Sequence, residues 1–290
     1  MVSSGLILLH KQPGITSFDS LRDIKRFLGT GKVGHTGTLD KFAEGLLLVL
    51  TGRALKLSRW FTGCDKQYEG TIRFGVETST LDPEGDVVAN APPPSREALE
   101  SALSGFCGEI LQAPPVYSAI HIGGERASAL ARRGEVPEMQ KRPVTVYRLE
   151  LLSWEPPCAR IFVHCSSGTY IRSLARDIAL AAGSRAHLTA LLRVKVGGFG
   201  IGEQAGTLCP IDRAVFEKIN IPCIDISGEA AKKVVQGKPL AQILGDNPAF
   251  AGAAGDTAAL FSGDALIAVT ERQNGKWGYG CVYAGECRVL

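Results

Sequence analysis

The chain has 290 residues, of which 45% are hydrophobic and 21% are charged, and its formal net charge is +3. This length and composition suffice for a hydrophobic core and suggest about two domains. No stretch approaches the roughly 20 apolar residues of a membrane-spanning helix, and residues 1–9 lack the basic flank of a signal peptide. We therefore expect neither a membrane span nor a signal peptide.

The eight cysteines include no C-x-x-C pair. The closest pairs are Cys281 with Cys287 and Cys158 with Cys165, and their spacing is that of neither a zinc ribbon nor a zinc finger. We expect no metal site, and small buried or free thiols in a reducing, cytoplasmic setting.

The first two predicted elements are a strand and a helix. Residues 5–11 read GLILLHK, an apolar run that ends at a Pro-Gly turn. A helix is predicted over residues 16–28, because Thr16 and Asp19 form a capping box. Its apolar side chains recur at helical spacing and are Phe18, Leu21, Ile24, Phe27 and Leu28.

The next stretch, residues 29–45, reads GTGKVGHTGTLDKFAEG and leads into the apolar run LLLVLT. Five glycines surround His35 and Asp40, a density that indicates an unusual backbone or one that a ligand approaches closely. The spacing is equally compatible with two interpretations of Asp40. It is either an active-site carboxylate at the edge of a buried element or a capping residue in a surface turn.

Gly29, Gly31 and Gly34 also match the dinucleotide-binding pattern G-x-G-x-x-G. That pattern requires a preceding strand and an acid about 20 residues further on. Here a predicted helix precedes it, and no acid lies close to that distance, the nearest to it being Glu44 and Asp65. The sequence therefore disfavours a nucleotide cofactor.

Periodicity and turn residues predict the remaining elements of the first 200 residues. Ser95 is predicted to cap a helix that buries Leu99 and Leu103. The other predictions are strands over residues 68–76, 144–154 and 160–165, a turn at 81–85, a helix over 170–182 and an apolar run at 188–196.

Residues 125–148 carry six basic and three acidic side chains, a surplus that equals the net charge of the whole chain. Such a segment is either a mixed, solvated surface or an arm that contacts phosphates. It continues an irregular, weakly periodic stretch that begins at Pro114, which is typical of a functional or disordered loop.

A domain boundary is predicted near residues 210–222. Beyond it, Ser227 is predicted to begin a helix that buries Val234 and Val235. Short strand-like pieces follow and suggest a small β-barrel or roll. The turns between them are predicted at Ser262-Gly263 and Asn274-Gly275.

Four segments, in this order, resemble the bacterial tRNA pseudouridine synthases that act on the T loop. They are GHTGTLDKFAEG at residues 34–45, Lys66-Gln67-Tyr68, SGTYIR at residues 167–172 and LLRVKVGGF at residues 191–199. Residues 112–119, QAPPVYSA, are similar to the start of that family's RNA-binding thumb loop. Several ordered matches, spread over residues 6–199, are far more specific than a single motif.

The resemblance implies an α+β pseudouridine-synthase fold, with a mixed, largely antiparallel sheet flanked by helices and a C-terminal PUA-like β-barrel. It implies a catalytic domain over residues 1–222, with the thumb loop at about residues 112–148. The PUA-like RNA-binding domain would cover residues 223–290. The implied partner is the T stem-loop of tRNA, bound by a monomer.

The implied reaction converts uridine to pseudouridine at position 55 of tRNA. The glycosidic bond breaks, the base turns and it rejoins the ribose through C5, so no ATP, redox cofactor or metal is needed. Two alternatives remain. One is a non-catalytic tRNA-binding or folding module on the same fold, and the other is a nucleotide-dependent enzyme that uses residues 29–34.

The resemblance also assigns roles to residues. Asp40 would be the nucleophile. Burial would raise the pKa of its carboxyl, and the adjacent Arg172 would reverse that shift by about 1–3 units. Tyr68 would stack on the flipped base and help to remove the C5 proton. Stacking returns roughly 1–3 kcal/mol, which offsets most of the cost of unstacking the base. The implied substrate-binding residues are His35, which fills the space left by the base, Tyr170, Leu192, Lys11, Gly37, Arg126, Arg132 and Arg133.

The chain departs from the family pattern in three regions. After Asp40 it has Lys41-Phe42-Ala43-Glu44-Gly45 where Pro-Leu-Ala-Thr-Gly is usual, and it has Lys11-Gln12-Pro13 where Lys-Pro is usual. In the thumb loop, His121 stands where lysine is common, and Ala127 and Ser128 follow Arg126 where an aromatic residue is expected.

Overall fold

The computed structural model describes residues 4–135, 137–203, 205–244 and 255–283. Its strands are β1 Gly5–Lys11, β2 Val33–Thr36, β3 Glu44–Thr51, β4 Lys66–Phe74, β5 Val76–Thr78, β6 Val87–Asn90, β7 Gly108–Gln112, β8 His121–Ile122, β9 Glu125–Arg126, β10 Arg142–Glu155, β11 Cys158–Cys165, β12 Ala186–Val196, β13 Phe199–Gly200, β14 Leu208–Cys209, β15 Cys223–Asp225, β16 Thr257–Ser262, β17 Ala265–Gln273 and β18 Lys276–Val282. Its α-helices are α1 Arg22–Leu28, α2 Ser58–Thr62, α3 Arg96–Ser104, α4 Ala127–Arg132, α5 Ile171–Ala181, α6 Arg213–Lys218, α7 Gly228–Val235 and α8 Leu240–Leu244. Short 3₁₀ helices cover Asp19–Leu21 and Gly52–Leu57.

Ten of these strands form one large sheet. Its order is β14-β1-β3-β12-β4-β11-β10-β7, with β2 added beside β3 and β13 beside β12. The paired strands are antiparallel except β3 and β12, which run parallel where Leu192 faces Glu44. The predicted mixed, largely antiparallel sheet is confirmed.

Side-chain alternation explains how the central strands are covered. On β4, Tyr68, Ile72 and Phe74 are buried, whereas Arg73 is exposed, as the alternating pattern predicts. On β3 every residue after Glu44 is buried. The run LLLVLT is therefore a central strand that is covered on both faces.

Helices α3 and α5 cover one face of the sheet. Ser95 caps α3 as predicted, because its Oγ accepts a hydrogen bond from the N–H of Ala98 at 3.2 Å. Leu99 of α3 and Leu174 of α5 lie in one buried core with Ile72 of β4. This packing fixes the start of α5, on which Arg172 lies, relative to β4.

The first predicted helix begins as a 3₁₀ turn at Asp19 and becomes α-helical at Arg22. The capping box is present, since the Thr16 Oγ accepts from the Asp19 N–H at 3.0 Å and donates to its Oδ2 at 2.6 Å. However, Phe18 is 69% exposed and Phe27 is 88% exposed. The predicted stripe is wrong at these two positions. Leu21, Ile24 and Leu28 pack against the neighbouring core, and Phe18 and Phe27 lie to either side of that narrow face.

The thumb loop is more regular than its sequence suggests. Strands β8 and β9 form a small hairpin, in which His121 pairs with Arg126, and α4 follows it directly. Ala127 is fully buried at the start of that helix. The prediction of an irregular stretch is wrong here, because each piece is too short to show a sequence period.

Strands β15 to β18 form a separate four-stranded sheet. The two predicted turns join β16 to β17 and β17 to β18. Ser227 caps α7, and Val234 is buried, but Val235 is 49% exposed, which corrects its predicted burial. The described strands do not close into the predicted barrel, and residues 245–254 and 284–290, including Cys287, lie outside the described part of the chain.

The small sheet shares a hydrophobic core with the large one. Leu48 of β3 and Phe261 of β16 belong to the same buried cluster, and the rings of Phe216 and Phe261 meet edge to face at 5.8 Å. Glu271 of β17 accepts a hydrogen bond from the Trp60 Nε1 of α2 at 3.0 Å. In the four described ranges, no helix has the length and apolar character to cross a membrane.

Candidate active site

The predicted motifs meet at one cavity of about 290 Å³. Its lining comes from residues 37–40, Thr62, Lys66 and Tyr68, Ser118 and Ala119, residues 168–172, and Leu191 and Arg193. A larger cleft of about 600 Å³ is lined by Arg59, Tyr147 and His164 among others, but contains none of the predicted catalytic residues. Size alone therefore does not identify the candidate site.

Gly45 allows β12 to approach the end of the glycine-rich loop. Its φ is +112°, and a Cβ at this position would lie 2.4 Å from the backbone oxygen of Arg193. No side chain fits there without moving a backbone. The absence of a side chain at Gly45 therefore lets the Asp40 loop pack directly against the strand that carries Leu191 and Arg193.

Lys11 supports the same loop from behind. It is 1% exposed, and its Nζ donates to the carbonyl oxygens of Ala43 at 2.6 Å, Gln12 at 3.0 Å and Lys41 at 3.3 Å. It does not line the cavity. This placement corrects the predicted role of Lys11 as a substrate-binding residue, because its donors are already used by the loop.

Asp40 and Arg172 form an ion pair at the cavity. The Nη2 of Arg172 donates to the Oδ1 of Asp40 at 2.9 Å, and its Nε lies 2.8 Å from the Oδ2. The arginine side chain is 5% exposed, whereas the aspartate side chain is 36% exposed because it faces the cavity. The Arg172 Nη1 also donates to the carbonyl oxygen of Thr80 at 2.7 Å, so the guanidinium is held in one orientation.

Asp82 is a second carboxylate beside Arg172, and sequence reasoning missed it. Its Oδ2 lies 3.4 Å from the Arg172 Nη1, and its side chain is 6% exposed. The predicted turn at residues 81–85 contains it, and Leu81 adopts a positive φ of 62° there. A bulky residue with positive φ in a polar turn is a sign of local constraint, but the sequence does not display the dihedral angle.

Burial raises the pKa of the Asp40 carboxyl above its ordinary value, and Arg172 opposes this effect without reversing it. The expectation that the arginine overcomes the desolvation is therefore wrong. The negative charge of Asp82 works in the same direction as burial, because a second carboxylate disfavours ionisation of the first.

Tyr68 forms a wall of the cavity. It is 7% exposed and lies directly opposite Arg193 on the neighbouring strand. Burial raises the pKa of its phenol, so the hydroxyl keeps its proton at neutral pH. A flat, neutral ring suits stacking, whereas removal of a proton from C5 requires the phenolate.

Tyr170 lines the cavity immediately before α5. Its backbone N–H donates to the Gln112 Oε1 at 2.8 Å, and the Gln112 Nε2 donates to its carbonyl oxygen at 3.1 Å. Gln112 is 2% exposed. The start of the thumb loop is thereby attached to the start of the helix that carries Arg172.

Leu191 lines the cavity in place of the predicted Leu192. Successive side chains of a strand point to opposite faces, so Leu191 and Arg193 share the cavity face and Leu192 does not. The prediction is wrong by one position, because a short apolar run does not reveal which face each residue occupies.

Gly37 and His35 lie on either side of the turn into the loop. Gly37 lines the cavity with a φ of +91°. His35 is half-buried on β2, outside the lining, and its Nδ1 has no hydrogen-bond partner in the described residues. Burial lowers the pKa of His35, and the charge of Arg193 adds to this effect, so its ring is neutral at pH 7.

The three predicted phosphate contacts lie on the thumb loop, away from the cavity lining. Arg126, Arg132 and Arg133 are all exposed. Arg133 is already paired, with its Nη1 2.7 Å from Glu125 and its Nε 3.1 Å from Glu135. No such pair is recorded for Arg126 or Arg132 within the described ranges.

One departure from the family pattern has a visible structural partner. Lys41, which follows Asp40 where proline is usual, lies 3.2 Å from Glu84. Glu84 belongs to the same turn as Asp82, and its N–H donates to the Asp82 Oδ1 at 3.0 Å. The substitution thus connects the two loops that carry the carboxylates.

The glycine pattern at residues 29–34 follows a helix, as expected. Gly29 ends α1 in the left-handed conformation, with a φ of 60°. Of the residues that the structure describes, no group of three or more His, Cys, Asp and Glu side chains is placed to hold a metal ion.

Comparison with known proteins connects this site to a family. Residues 25–171 match the sequence profile of the TruB family pseudouridylate synthase N-terminal domain. The tRNA pseudouridine synthase B of Borreliella burgdorferi is 45% identical over 211 residues, which are 72% of this chain and 74% of that protein. The protein of the same name from Aromatoleum aromaticum is 39% identical over 259 residues, 84% of this chain and 83% of its own.

Solved structures show the same fold over almost the whole chain. A chain from a crystal structure of a Cbf5-Nop10-Gar1 complex has a TM-score of 0.67 and 25% identity, and the match covers 97% of this chain and 85% of that one. A chain of an H/ACA RNP bound to a substrate RNA containing 2′-deoxyuridine has a TM-score of 0.66 and 23% identity. That match covers 98% of this chain and 86% of the other. The predicted pseudouridine-synthase fold is therefore confirmed.

Proposed function

We propose that this chain, which belongs to the TruB family of pseudouridylate synthases and is a tRNA pseudouridine synthase, acts on uridine 55 in the T loop with Asp40 as its nucleophile. The observation that carries the proposal is the ion pair between Asp40 and Arg172 on the wall of a cavity that Tyr68 also lines. These three residues come from separate segments of the chain and converge only in the fold.

The cavity takes the target base after it leaves the RNA stack. A volume of about 290 Å³ is close to the lower end of the range for small-ligand sites, roughly 300–1,000 Å³. Tyr68 stacks on the base, Tyr170 and Leu191 enclose it, and the neutral ring of His35 fills the gap that it leaves. The stacking returns roughly 1–3 kcal/mol towards the cost of unstacking.

Arg172 orients the nucleophile for its attack. Two of its nitrogens lie within 2.9 Å of the two oxygens of Asp40, so the carboxylate cannot rotate freely. The ion pair also favours the ionised form that attacks. Attack, base rotation and reattachment exchange the C5 proton for a proton on N1, so the reaction balances without a further reagent.

The thumb loop is the proposed contact to the RNA backbone. Arg126 and Arg132 are exposed basic residues on β9 and α4, and guanidinium groups bind phosphates with several donors. The T stem-loop is the proposed recognition element. We further propose that the protein acts as a monomer in the cytoplasm and that residues 223–290 form an RNA-binding domain.

The proposal is tested with a tRNA transcript that carries tritium at uridine C5. We expect the purified protein to release tritium in EDTA without added cofactor, and to lose activity when the T-loop uridine is replaced by cytidine. Asp40→Asn should lower the single-turnover rate by about 10⁴-fold or more while tRNA affinity is retained.

The matched control is Asp23→Asn, which alters an 89%-exposed carboxylate on α1 and should leave the rate unchanged. Tight tRNA binding without tritium release would favour a non-catalytic folding module instead. Release that survives Asp40→Asn would exclude Asp40 as the nucleophile.

A further inference from the structure

Among the described residues, two buried cations in the cavity form no ion pair with a carboxylate. Lys66 is 7% exposed and Arg193 is 1% exposed, and both line the cavity. Their hydrogen bonds go mainly to backbone carbonyls. The Lys66 Nζ donates to Thr62 at 2.7 Å and to Cys64 at 2.5 Å.

The donors of Arg193 are only partly used. Its Nε donates to the carbonyl oxygen of Leu46 at 2.7 Å, and its Nη2 donates to that of Gly37 at 3.0 Å. The guanidinium also forms a side-chain hydrogen bond with the Tyr68 hydroxyl, which leaves further N–H groups for a ligand. Burying a cation is unfavourable unless an opposite charge joins it, which points to a ligand that becomes negative.

The two cations approach the same part of the cavity. A Cβ built on Gly37 would lie 3.6 Å from the Arg193 Nη1 and 3.9 Å from the Lys66 Cε. Lys66 and Tyr68 share one face of β4, and Arg193 lies opposite Tyr68 on β12. The cations are therefore next to the ring on which the base is proposed to stack.

Negative charge must develop on the base during the proposed reaction. If the carboxylate attacks C1′, the bond from N1 to C1′ breaks and both electrons stay on the uracil ring, shared among N1, O2 and O4. If it attacks C6 instead, the electron pair of the C5–C6 double bond moves towards O4. In both routes, Asp40 and Arg172 together supply no net positive charge for the base.

We propose that Lys66 and Arg193 bind the carbonyl oxygens of the target uracil and stabilise the negative charge that forms on the ring. This inference rests on the proposed function and adds two catalytic residues to it. Charge stabilisation in a water-poor cavity acts on the transition state more than on the bound substrate. Afterwards C5 joins C1′ and the bond to Asp40 breaks, which returns the free carboxylate. The C5 proton leaves, its electron pair restores the C5–C6 double bond, and N1 takes up a proton.

A purely structural role for Lys66 makes a different prediction. Thr62 is the last residue of α2, so the lysine also binds a free carbonyl at a helix C-terminus. If that were its whole purpose, its loss would reduce stability and slow every substrate to the same degree. The test therefore compares substrates whose bases differ in how well they carry negative charge.

The experiment measures single-turnover loss of the target nucleoside in two tRNAs, one with uridine and one with 5-fluorouridine at the T-loop position. Fluorine withdraws electrons and stabilises the anionic ring. We expect Lys66→Met to slow the uridine substrate by about 10²–10³-fold and the fluorinated substrate at least tenfold less. Lys66→Arg keeps a cation and should recover most of the rate, and tRNA affinity should be unchanged in both variants.

The outcomes are separable. If the wild-type protein converts neither substrate, the proposed function fails. If the wild type is active and Lys66→Met either keeps its rate or slows both substrates equally, the inference is overturned while the proposed function stands. Thermal unfolding of each variant identifies a purely structural role of Lys66, since loss of a helix-terminal contact alone would lower Tm.

Discussion

The cavity and the thumb loop both carry arginines, but they hold them in opposite ways. Arg172 has a side chain that is 5% exposed, between Asp40 and Asp82. Arg133 has one that is 50% exposed, between Glu125 and Glu135. Each arginine lies between two carboxylates, and the two side chains differ in their exposure to solvent.

The difference separates two tasks. A buried ion pair is poorly screened and strongly oriented, so it can hold a reacting carboxylate in place. An exposed pair is screened by salt and exchanges its partners readily, so it can release a carboxylate and take a phosphate. The proposed chemistry takes place in the first environment, and the proposed phosphate contacts lie in the second.

The largest effect is expected from removing the arginine of the buried pair. Arg172→Met leaves Asp40 and Asp82 close together without a cation, and breaking a buried pair typically destabilises a protein by about 3–5 kcal/mol. We expect a large fall in the free energy of unfolding, measured in urea, together with loss of tritium release.

Arg133→Met is the matched control in the thumb loop. It removes an arginine that also lies between two acids, and Tm should not change measurably. Equal destabilisation by the two variants would remove the distinction between the regions.

Gly45 and Gly124 allow the two regions to be compared at the level of the backbone. Gly45 has a φ of +112° and its Cβ would strike β12, whereas Gly124 in the thumb hairpin has a φ of +92° and open space around it. Replacement by alanine adds about 1–3 kcal/mol of backbone strain in each case. Gly45→Ala should also displace the Asp40 loop, so its Tm and activity should fall well below those of Gly124→Ala. Similar values would show that the close approach is unimportant.

The pH dependence of the rate should report on the cavity alone. Burial raises the pKa of Asp40, so the rate should fall as the pH drops through a value above that of an ordinary aspartate. Burial and the charge of Arg193 lower the pKa of Lys66 to about 8. Because the cation is the form required, the rate should also fall as the pH rises through about 8.

Lys66→Arg should extend activity to higher pH, since arginine stays protonated. The other groups that act on Lys66 are Cys64, Cys165 and Asp65, and burial raises the pKa of both thiols, to about 11 and about 12. Neither thiol therefore titrates near 8. An alkaline limb that persists unchanged in Lys66→Arg would contradict this assignment.

The smallest effects are expected in the thumb loop. Arg126→Ala and Arg132→Ala should weaken tRNA binding uniformly and reduce the slope of log affinity against log salt by about one each. Arg133→Ala should change the slope less, because its side chain already has two acidic partners. The slopes are measured by filter binding at salt concentrations from about 50 to about 200 mM. Unchanged slopes would exclude phosphate contacts by these residues.

The sequence predicts the site best where a functional residue stands within a contiguous motif. The motifs around Asp40, Tyr68 and Arg172 identify three residues that the fold brings to one cavity. The large sheet is predictable for a similar reason, because alternation on β4 and the apolar run of β3 are local properties.

What the sequence could not predict depends on contacts between distant segments. Arg193 lies in the cavity because backbone carbonyls at Leu46 and Gly37 bind it, and no residue type in the sequence marks a carbonyl as a partner. Asp82 looks like an ordinary turn residue until Arg172 approaches it. Exposure of Phe18 and Phe27 likewise depends on what packs against the segment, and not on its own spacing.

The core shared by the two sheets bears on how this protein can be divided. Phe261, Leu266 and Val269 from the smaller sheet pack in one cluster with Leu48 and Leu50 from the larger one. A chain cut after residue 222 would leave an apolar face open to water, which favours aggregation. The smaller sheet is therefore expected to depend on the larger one for burial of this face. The two parts should melt in a single cooperative transition, and an evolutionary loss of the tail would require new polar residues on the sheet that it covers.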